Sequence, residues 1–350
     1  MDAHARQNNF DLIRLVAAGQ VVLWHGIEHL KVEVHPLLLW LLGSFPGVPI
    51  FFVVSGYLVS ASYRRSRSVG TYFANRGLRI FPGLWLCFAF CFISIAWSYG
   101  LAGARWQDLV SWVLPNVVGL SHTPAFLKSF GTGSVNGSLW TIPVELQFYV
   151  VLPLLLLVLQ RSGWRWGVGF VFCLAASFVY LWMVRESDSK AWSNVLLRLL
   201  PSWLYMFMLG MILEWRADWK ERFVRDRFFV WAGAYLVWIV LLQAAGFTTV
   251  GNAATPLALI PLAAVVIAAA YSYRSLATRW LRGHDISYGM YLYHMPIVNL
   301  IVVLTPGLRG PAALVVCIVA TLSLAGVSWW LVERPALRLK PTSKGLQTAY

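Results

Sequence analysis

The sequence predicts an all-α integral membrane protein with about ten transmembrane helices and both termini in the cytoplasm. Hydrophobic residues make up 59% of the chain and charged residues only 12%, about half the charged share of an average soluble domain. Apolar runs of about twenty residues, long enough to cross a bilayer as a helix, recur along almost the whole sequence. The distribution of the basic residues then sets the orientation.

The apolar runs divide the chain into ten predicted spans. They cover residues 10–30, 43–62, 78–100, 139–160, 165–184, 192–214, 228–246, 253–273, 286–304 and 311–333. The longest loop, about 101–138, is predicted to be extracytoplasmic, with a short interfacial helix at 106–114. No linker or internal repeat interrupts the pattern, so we predict one transmembrane domain at 1–340 and a cytoplasmic tail at 341–350.

The net charge of +14 is distributed unevenly over the predicted loops. Twenty of the 28 lysines and arginines fall on one predicted side of the membrane, seven fall on the other, and Arg14 lies inside the first span. Because cytoplasmic loops carry the basic excess, the richer side is the cytoplasm, and an even number of spans places both termini there. The charge is therefore topological and does not indicate a nucleic-acid partner.

The cysteines and the first apolar run exclude two other interpretations. All four cysteines lie in apolar runs without metal-ligand spacing, so we predict packing residues, no metal and no bound cofactor. The first run contains Arg14, His25 and Glu28 and lacks a convincing cleavage site. We therefore predict a retained helix instead of a signal peptide.

Arg14 and His25 are the two candidate functional residues of the first predicted span. They are eleven residues apart, which brings them to within about 20° of one helix face and separates them by roughly 16 Å along the axis. A plainer interpretation is an arginine that reaches the interface and a histidine that packs against another helix. Ionisable groups cost about 2.5–3.5 kcal/mol each at the bilayer centre, so the pair favours a functional site.

The second and third spans contribute a hydroxyl and two guanidinium groups. Ser55 lies in an apolar run beside Gly56, which permits close backbone approach, although ordinary helix packing explains this segment as well. Arg76 and Arg79 lie one helical turn apart at the predicted cytoplasmic start of the third span. Such a pair suits phosphate oxygens, and ordinary positive-inside charge is the alternative explanation.

Two carboxylates and one histidine occur in the later spans. Glu145 is about 9 Å below the predicted outer surface, where a carboxylate must be neutralised, paired (for example with a histidine) or exposed to a wet cavity. His294 lies near mid-membrane, and a hydrogen-bonded packing role is its plainer interpretation. Glu333 and Arg334 end the last span as a helix-end ion pair or as part of a cytoplasmic entrance.

Six segments in fixed order carry a family resemblance. They are Arg14 with His25, residues 51–57 (FFVVSGY), residues 76–79 (RGLR), residues 138–149 with Glu145 and Tyr149, residues 291–294 (YLYH) and residues 332–335 (VERP). Together they resemble the membrane-bound acyltransferase family 3, the bacterial inner-membrane O-acyltransferases, over about residues 10–335. The resemblance implies an acyl-CoA donor, usually acetyl-CoA, taken from the cytoplasm. Some members carry an appended esterase-like domain, which we do not expect here.

The donor site expected from these residues is cationic. Acyl transfer from a thioester to an alcohol needs a place for the anionic donor, a base for the hydroxyl and stabilisation of the oxyanion. We expect Arg14, Arg76 and Arg79 to bind the CoA phosphates, and Ser55 to donate a hydrogen bond to the acyl-CoA. The pantetheine arm would then extend along the first helix toward His25.

The expected catalytic residues are His25 and Glu145. His25 acts as general base on the acceptor hydroxyl or, alternatively, accepts the acyl group itself. Glu145 orients His25 and stabilises its imidazolium, as an acid does in other catalytic triads. His294, Tyr149 and Glu333 are candidates for supporting positions around them. The sequence indicates no oxyanion donors.

The expected acceptor is a hydroxyl of a cell-surface polysaccharide or a lipid-linked sugar, and the expected location is the bacterial inner membrane. No sequence pattern identifies the acceptor, the acyl chain length or the oligomeric state. The alternative function is a transporter or flippase of a lipid-linked sugar, because buried Arg, His and Glu also mark transport pathways. Many such carriers have two related halves, which this sequence lacks.

Overall fold

The computed structural model describes residues 8–101, 103–159, 163–273 and 275–341, without the side chains of 190 and 191. Within these ranges the chain is helical and contains no β-strand. The helices are α1 (Phe10–His29), α2 (Pro36–Ser44), α3 (Gly47–Arg65), α4 (Val69–Ser98), α5 (Trp106–Val117), α6 (Thr141–Leu159), α7 (Gly163–Arg185), α8 (Lys190–Leu197), α9 (Leu204–Trp215), α10 (Ala217–Trp219), α11 (Phe228–Ala244), α12 (Pro256–Tyr271), α13 (Leu276–Leu281), α14 (Ser287–Leu304), α15 (Gly310–Ser328) and α16 (Arg334–Arg338). Two π-helical turns, Lys220–Val224 and Trp329–Glu333, follow α10 and α15.

The structure agrees with the prediction that the chain spans a membrane, but it does not fix the number of spans. Seven helical stretches of the described ranges are long and apolar enough to cross a membrane. The bent pair Ala217–Val224 and Phe228–Ala244 makes an eighth if it is one span, and α9 and α12 are shorter apolar helices. Each predicted span overlaps at least one helix. The count of ten and the cytoplasmic termini stay predictions.

Two predicted spans have different boundaries in the structure. The predicted helix 192–214 is broken into α8, a 3-10 turn at Leu200–Ser202 and α9, because Pro201 lacks the N–H that a continuing helix requires. Helix α4 begins at Val69, nine residues before the predicted start, because the Ser68 hydroxyl accepts the backbone N–H of Thr71 at 3.1 Å and caps it. Arg76 and Arg79 therefore lie inside a helix and not at its start.

Glycines bring α3 and α9 into backbone contact. A Cβ atom on Gly56 would lie 2.1 Å from the carbonyl oxygen of Phe207, and one on Gly210 would lie 2.2 Å from that of Val53. Small residues allow such close crossings in membrane proteins, where packing and not hydrophobic exclusion holds helices together. The prediction that Gly56 permits close backbone approach is confirmed.

Helix α14 lies at the centre of the helix bundle and is buried along nearly its whole length. It packs against α1 on one side, α15 on another and α4 on a third. Gly289 permits the α15 contact, since a Cβ there would lie 2.9 Å from the Cα of Ala325. Side chains of α1 and α4 that face α14 are consequently enclosed by protein and shielded from lipid.

The loop between α4 and α6 contains the predicted short helix, which is α5, and its place at the membrane interface stays a prediction. The loop then returns to α14. The side-chain oxygen of Asn299 on α14 accepts the backbone N–H of Thr132 at 2.8 Å, and its amide donates to the carbonyl of Ser134 at 2.8 Å. This attachment fixes the second half of the loop over one end of α14.

Several sequence predictions fall outside the described residues. They concern Arg6, Arg161, Arg274 and Lys344 of the basic excess, and residues 342–350 of the predicted tail.

Candidate active site

His25 on α1 and His294 on α14 form a hydrogen-bonded pair. The Nδ1 atom of His25 lies 2.9 Å from Nε2 of His294, and the rings are nearly parallel with centroids 5.2 Å apart. His294 is fully buried. The sequence favours a hydrogen-bonded packing role for His294. In the structure this residue is the direct hydrogen-bond partner of His25, the predicted base.

The hydrogen-bond network assigns the tautomer of both rings. His294 Nδ1 lies 3.2 Å from the carbonyl oxygen of Met290, and because a carbonyl only accepts, this nitrogen carries the proton. His294 Nε2 is then an acceptor, so Nδ1 of His25 is the donor of the pair. The remaining nitrogen of His25, Nε2, carries a lone pair and has no partner in the described part of the chain. That is the state required of a general base.

A proline fixes the segment of α14 that carries His294. Pro296 has no N–H, so the carbonyl of Leu292 lacks its usual helical partner. Asn136 donates its side-chain amide to that carbonyl at 2.8 Å, and the Cys87 thiol approaches it at 3.3 Å. The loop and α4 are thereby attached to α14 within one turn of His294.

Arg14 and Arg79 share a buried aspartate. An Oδ atom of Asp285 accepts from Arg14 at 2.6 Å and from Arg79 at 2.5 Å. The other Oδ atom accepts the backbone N–H and the hydroxyl of Ser287 at the start of α14. Burial raises the pKa of Asp285, but the charges of Arg14 and Arg79 and the hydrogen bonds from Ser287 and Arg79 together lower it by more, so the pKa lies well below its usual range. Asp285 is therefore a fixed anion that orients two of the predicted phosphate-binding arginines.

Arg76 and Lys340 add two cations to the same end of the helix bundle. Burial, followed by the charges of Arg76, Arg79 and Arg14, lowers the pKa of Lys340 to about 8. Arg76 donates to the Ser62 hydroxyl at 3.3 Å, and its buried Nε has no partner among the described residues. We call Arg14, Arg76, Arg79 and Lys340 the cationic cluster.

The cationic cluster carries more positive than negative charge. Its carboxylate partners are Asp285 and Asp11, the second of which accepts from Arg14 at 2.5 Å. The charge of Glu333 also acts on Arg79, so four cations against three carboxylates leave an excess of about one positive charge. The buried Nε of Arg14 also has no partner in the described ranges. Unpaired donors and excess cationic charge are suited to a multiply charged anion such as a phosphate.

Glu145 and His25, which are predicted to pair, form no hydrogen bond with each other within the residues that the structure describes. Glu145 Oε1 accepts from the Ser55 hydroxyl at 3.0 Å and from the Tyr149 hydroxyl at 2.5 Å. His25 bonds His294 instead. The sequence does not determine which side chains bond Glu145, because that choice depends on how α6 packs beside α3. The side chain that bonds the His25 ring in this structure is that of His294.

Tyr149 connects Glu145 to the cationic cluster, and Ser55 bonds the same carboxylate. The guanidinium of Arg76 lies 5.8 Å from the centre of the Tyr149 ring, a cation–π distance. The polar line therefore runs from Arg76 through Tyr149 and Glu145 to Ser55. The Ser55 hydroxyl donates its proton to Glu145 and not, as expected, to a ligand, so the group that Ser55 offers to a ligand is its oxygen, as an acceptor.

Glu333 is buried at the end of α15 in a π-helical turn. One carboxyl oxygen accepts from the Ser328 hydroxyl at 2.8 Å, and the other has no partner among the described residues. The predicted ion pair with Arg334 is not formed, since Arg334 lies over the ring of Trp330. π-Helical turns often occur at functional sites, and this one places Glu333 beside α4 near Tyr288 and Gly83.

Arg14 and His25, which are predicted to share one face of α1, both contact the segment that runs from Asp285 into α14. Arg14 contacts Asp285 immediately before α14, and His25 contacts His294 within it. Nine residue steps separate Asp285 from His294 and would rise about 13 Å in a helix, close to the roughly 16 Å predicted between Arg14 and His25. We call these two ends of the bundle the Arg14 end and the His25 end.

Sequence reasoning missed Asp285, Asn136 and Lys340. Asp285 gave one usable signal, since an aspartate two residues before Ser287 is typical of a helix start. On sequence grounds Lys340 belongs only to the basic excess of the predicted cytoplasmic side, and Asn136 only to the predicted loop 101–138. Nothing in the linear sequence brings these three to α1, α4 or α14.

Comparison with known proteins gives a family. The sequence model of a family described as an acyltransferase domain matches residues 7–331. Nodulation protein 10 of Rhizobium leguminosarum bv. viciae is 31% identical over 351 residues, which cover 95% of this chain and 94% of that protein. The O-acetyl transferase of Shigella phage Sf6 is 26% identical over 94% of this chain and 96% of its own length.

A partial relative points the same way. The peptidoglycan O-acetyltransferase OatA of Listeria monocytogenes serovar 1/2a (strain ATCC BAA-679 / EGD-e) is 28% identical over 131 residues, which are 35% of this chain and 21% of that protein. No solved structure gives a significant match. The family match covers every segment of the resemblance except the VERP motif at 332–335, which begins just after the match ends. Named O-acetyltransferases are among the relatives. The chain therefore belongs to the membrane-bound acyltransferase family 3.

Proposed function

We propose that this protein transfers an acyl group, usually acetyl, from cytoplasmic acyl-CoA to a hydroxyl of a cell-surface polysaccharide or a lipid-linked sugar. One observation carries the proposal. The cationic cluster and the His25–His294 pair lie at two levels of the same α1–α14 contact. Family membership favours this enzyme over the transporter or flippase considered from the sequence.

The cationic cluster is the proposed donor-phosphate site. Its excess of positive charge and the unpaired Nε atoms of Arg14 and Arg76 supply ligands for the phosphates of CoA. The pantetheine arm extends from there along α1 by roughly 16 Å to His25. We assign Ser55 to this path, because its oxygen is free to accept an amide N–H of the pantetheine.

His25 is the proposed general base. Its Nε2 takes the proton of the acceptor hydroxyl while the hydroxyl oxygen attacks the thioester carbonyl. The new C–O bond forms, the C–S bond breaks, and the proton on His25 passes to the departing CoA sulfur. Throughout, the Nδ1–H of His25 remains on His294, which fixes the ring orientation. An acyl-histidine at Nε2 is the alternative retained from the sequence.

The proposal is tested with purified protein in liposomes, [acetyl-¹⁴C]acetyl-CoA and a crude surface-glycan fraction as acceptor. We expect release of free CoA and label in the glycan, both abolished in His25→Ala. Correct folding of the variant is checked by its thermal unfolding midpoint. Undiminished transfer by His25→Ala would reject the base.

The donor site is tested separately with Arg76→Ala and Arg79→Ala. Both variants should raise the KM for acetyl-CoA about tenfold or more, since each removes a charge-assisted contact. Arg222→Ala is the matched control, because Arg222 is exposed on a different segment and lies outside the cationic cluster. An unchanged KM in both cluster variants would reject the phosphate site.

A further inference from the structure

The connection between α9 and α11 turns sharply at the Arg14 end of the bundle. It contains α10 and the π-helical turn Lys220–Val224, which together make an angle of 85° with α11. Just before α11, Asp226 has a φ of 57°, a left-handed conformation that aspartate adopts more readily than most residues. Because α11 is an apolar helix that we predict to cross the bilayer, this connection should lie close to the membrane plane. We call residues 215–227 the basic segment.

Lys220 fixes the basic segment to the helix bundle. Its Nζ atom donates to the hydroxyl of Tyr57 on α3 at 3.2 Å and lies 4.5 Å from the centre of the Tyr271 ring on α12. The two tyrosine hydroxyls lie 2.7 Å apart, and both rings pack against Phe10 at the start of α1. The basic segment is therefore held at the Arg14 end, which is predicted to be cytoplasmic.

Ion pairs within the basic segment leave two cations unpaired. The segment has five basic and three acidic residues. Its carboxylates pair with neighbouring arginines, Asp218 with Arg216, and Glu221 and Asp226 with Arg225. Arg222 and Arg227 are exposed and have no carboxylate partner within the part of the chain that the structure describes. Two guanidinium groups therefore remain for a ligand outside the chain.

Exposed apolar side chains lie beside both of these arginines. Trp219 is 45% exposed and Phe223 is 46% exposed, and the Arg222 guanidinium lies 5.2 Å from the centre of the Phe223 ring. Arg227 directly precedes α11, whose first turn exposes 71% of Phe229. Water alone would leave this apolar surface unfavourably solvated. Basic residues mixed with aromatic rings, at the point where an apolar helix begins, are typical of the membrane interface.

We propose that Arg222 and Arg227 bind anionic phospholipid headgroups, with the acyl chains along the exposed face of α11 that begins at Phe229. Trp219 and Phe223 then lie at headgroup level. A soluble phosphate would pair with the guanidinium groups but would leave the aromatic surface in water, so the pattern favours a lipid. A zwitterionic lipid carries its own cation beside the phosphate and gains much less from the two arginines. This inference does not depend on the function proposed for His25 or for the cationic cluster.

The affinity test is native mass spectrometry of the full chain in detergent, with phosphatidylglycerol or phosphatidylcholine of equal chain length added. We expect tighter binding of phosphatidylglycerol. Each basic residue near an anionic headgroup contributes about fivefold in affinity, so the double variant Arg222→Ala/Arg227→Ala should bind phosphatidylglycerol about 30-fold more weakly. Equal affinity for the two lipids, or unchanged affinity in the double variant, would overturn the inference.

The matched control is the double variant Arg185→Ala/Arg309→Ala. It removes the same charge from two exposed positions that the sequence assigns to the other side of the membrane, so its affinity for phosphatidylglycerol should equal that of the unaltered protein. A loss as large as that of Arg222→Ala/Arg227→Ala would show that only net charge matters and would overturn the site.

Thermal unfolding in nanodiscs gives a second measurement. Phosphatidylglycerol in place of phosphatidylcholine should raise the midpoint of the unaltered protein, because a ligand of the folded state stabilises it, and Arg222→Ala/Arg227→Ala should lose that rise. Excess glycerol 3-phosphate, which has the phosphate but no acyl chains, should not cancel the rise; if it does, the site binds free anions and the lipid assignment is wrong. The KM of the double variant for acetyl-CoA should stay unchanged, and a raised KM would place the two arginines in the donor site instead.

Discussion

Replacing His294 with phenylalanine tests the orientation of the proposed base most directly. Phenylalanine fills the buried space of the imidazole but cannot accept the Nδ1–H of His25, which His294 accepts across 2.9 Å. The proton of His25 is then free to move to Nε2 or to remain unpaired in a buried site. In either case the population with a free Nε2 lone pair, correctly aimed, falls.

The expected size follows from what the hydrogen bond provides. A positioned general base contributes about 10²–10⁴ in rate, and the variant keeps the imidazole while it loses the fixed tautomer. We therefore expect kcat to fall about 100-fold, equivalent to roughly 2.7 kcal/mol of activation free energy. The KM for acetyl-CoA should stay unchanged, because the cationic cluster lies roughly 16 Å away along α1. His294→Gln should recover part of the rate, since its amide oxygen can accept the same proton.

The assay is acetyl-CoA-dependent CoA release in liposomes, with both Michaelis constants measured for His294→Phe, His294→Gln and the control His122→Phe. His122 is an exposed loop histidine, so its replacement should have no effect. Thermal midpoints show whether the variants fold. The reasoning is refuted if folded His294→Phe retains the full kcat, or if glutamine restores nothing.

Three further predictions concern the cationic cluster and the helix crossing. Asp285→Asn leaves Arg14 and Arg79 without their shared carboxylate, so the free energy of unfolding should fall by about 3 kcal/mol, seen as a lower thermal midpoint; a midpoint equal to that of the unaltered protein would contradict the network. Because the pKa of Lys340 is lowered to about 8, the lysine is charged below that pH and neutral above it, so the KM for acetyl-CoA should rise as pH increases through about 8, and Lys340→Ala should remove that rise. Gly210→Ala would place a Cβ 2.2 Å from the Val53 carbonyl and should reduce thermal stability, whereas Gly167→Ala, with open space around it, should not.

The sequence by itself determined that this protein is surrounded by lipid, and it identified the ionisable residues that are unusual in membrane spans. Long apolar runs with few charges can be satisfied only by helices in lipid, and that prediction required no knowledge of packing. The eleven-residue spacing of Arg14 and His25 was equally readable, because helical periodicity is a local property of the chain. Glycine at position 56 was readable for a similar reason, since its missing side chain signals close approach.

The tertiary structure alone decided which side chains meet. His25 could have paired with Glu145 on α6 or with His294 on α14, and only the packing of α1 against α14 selects the histidine. Lys340 joins the cationic cluster, and Asp285 pairs with two of its arginines, because segments more than 200 residues apart in sequence converge there. Contacts between distant segments depend on how whole helices pack, and local residue patterns carry no information about that choice.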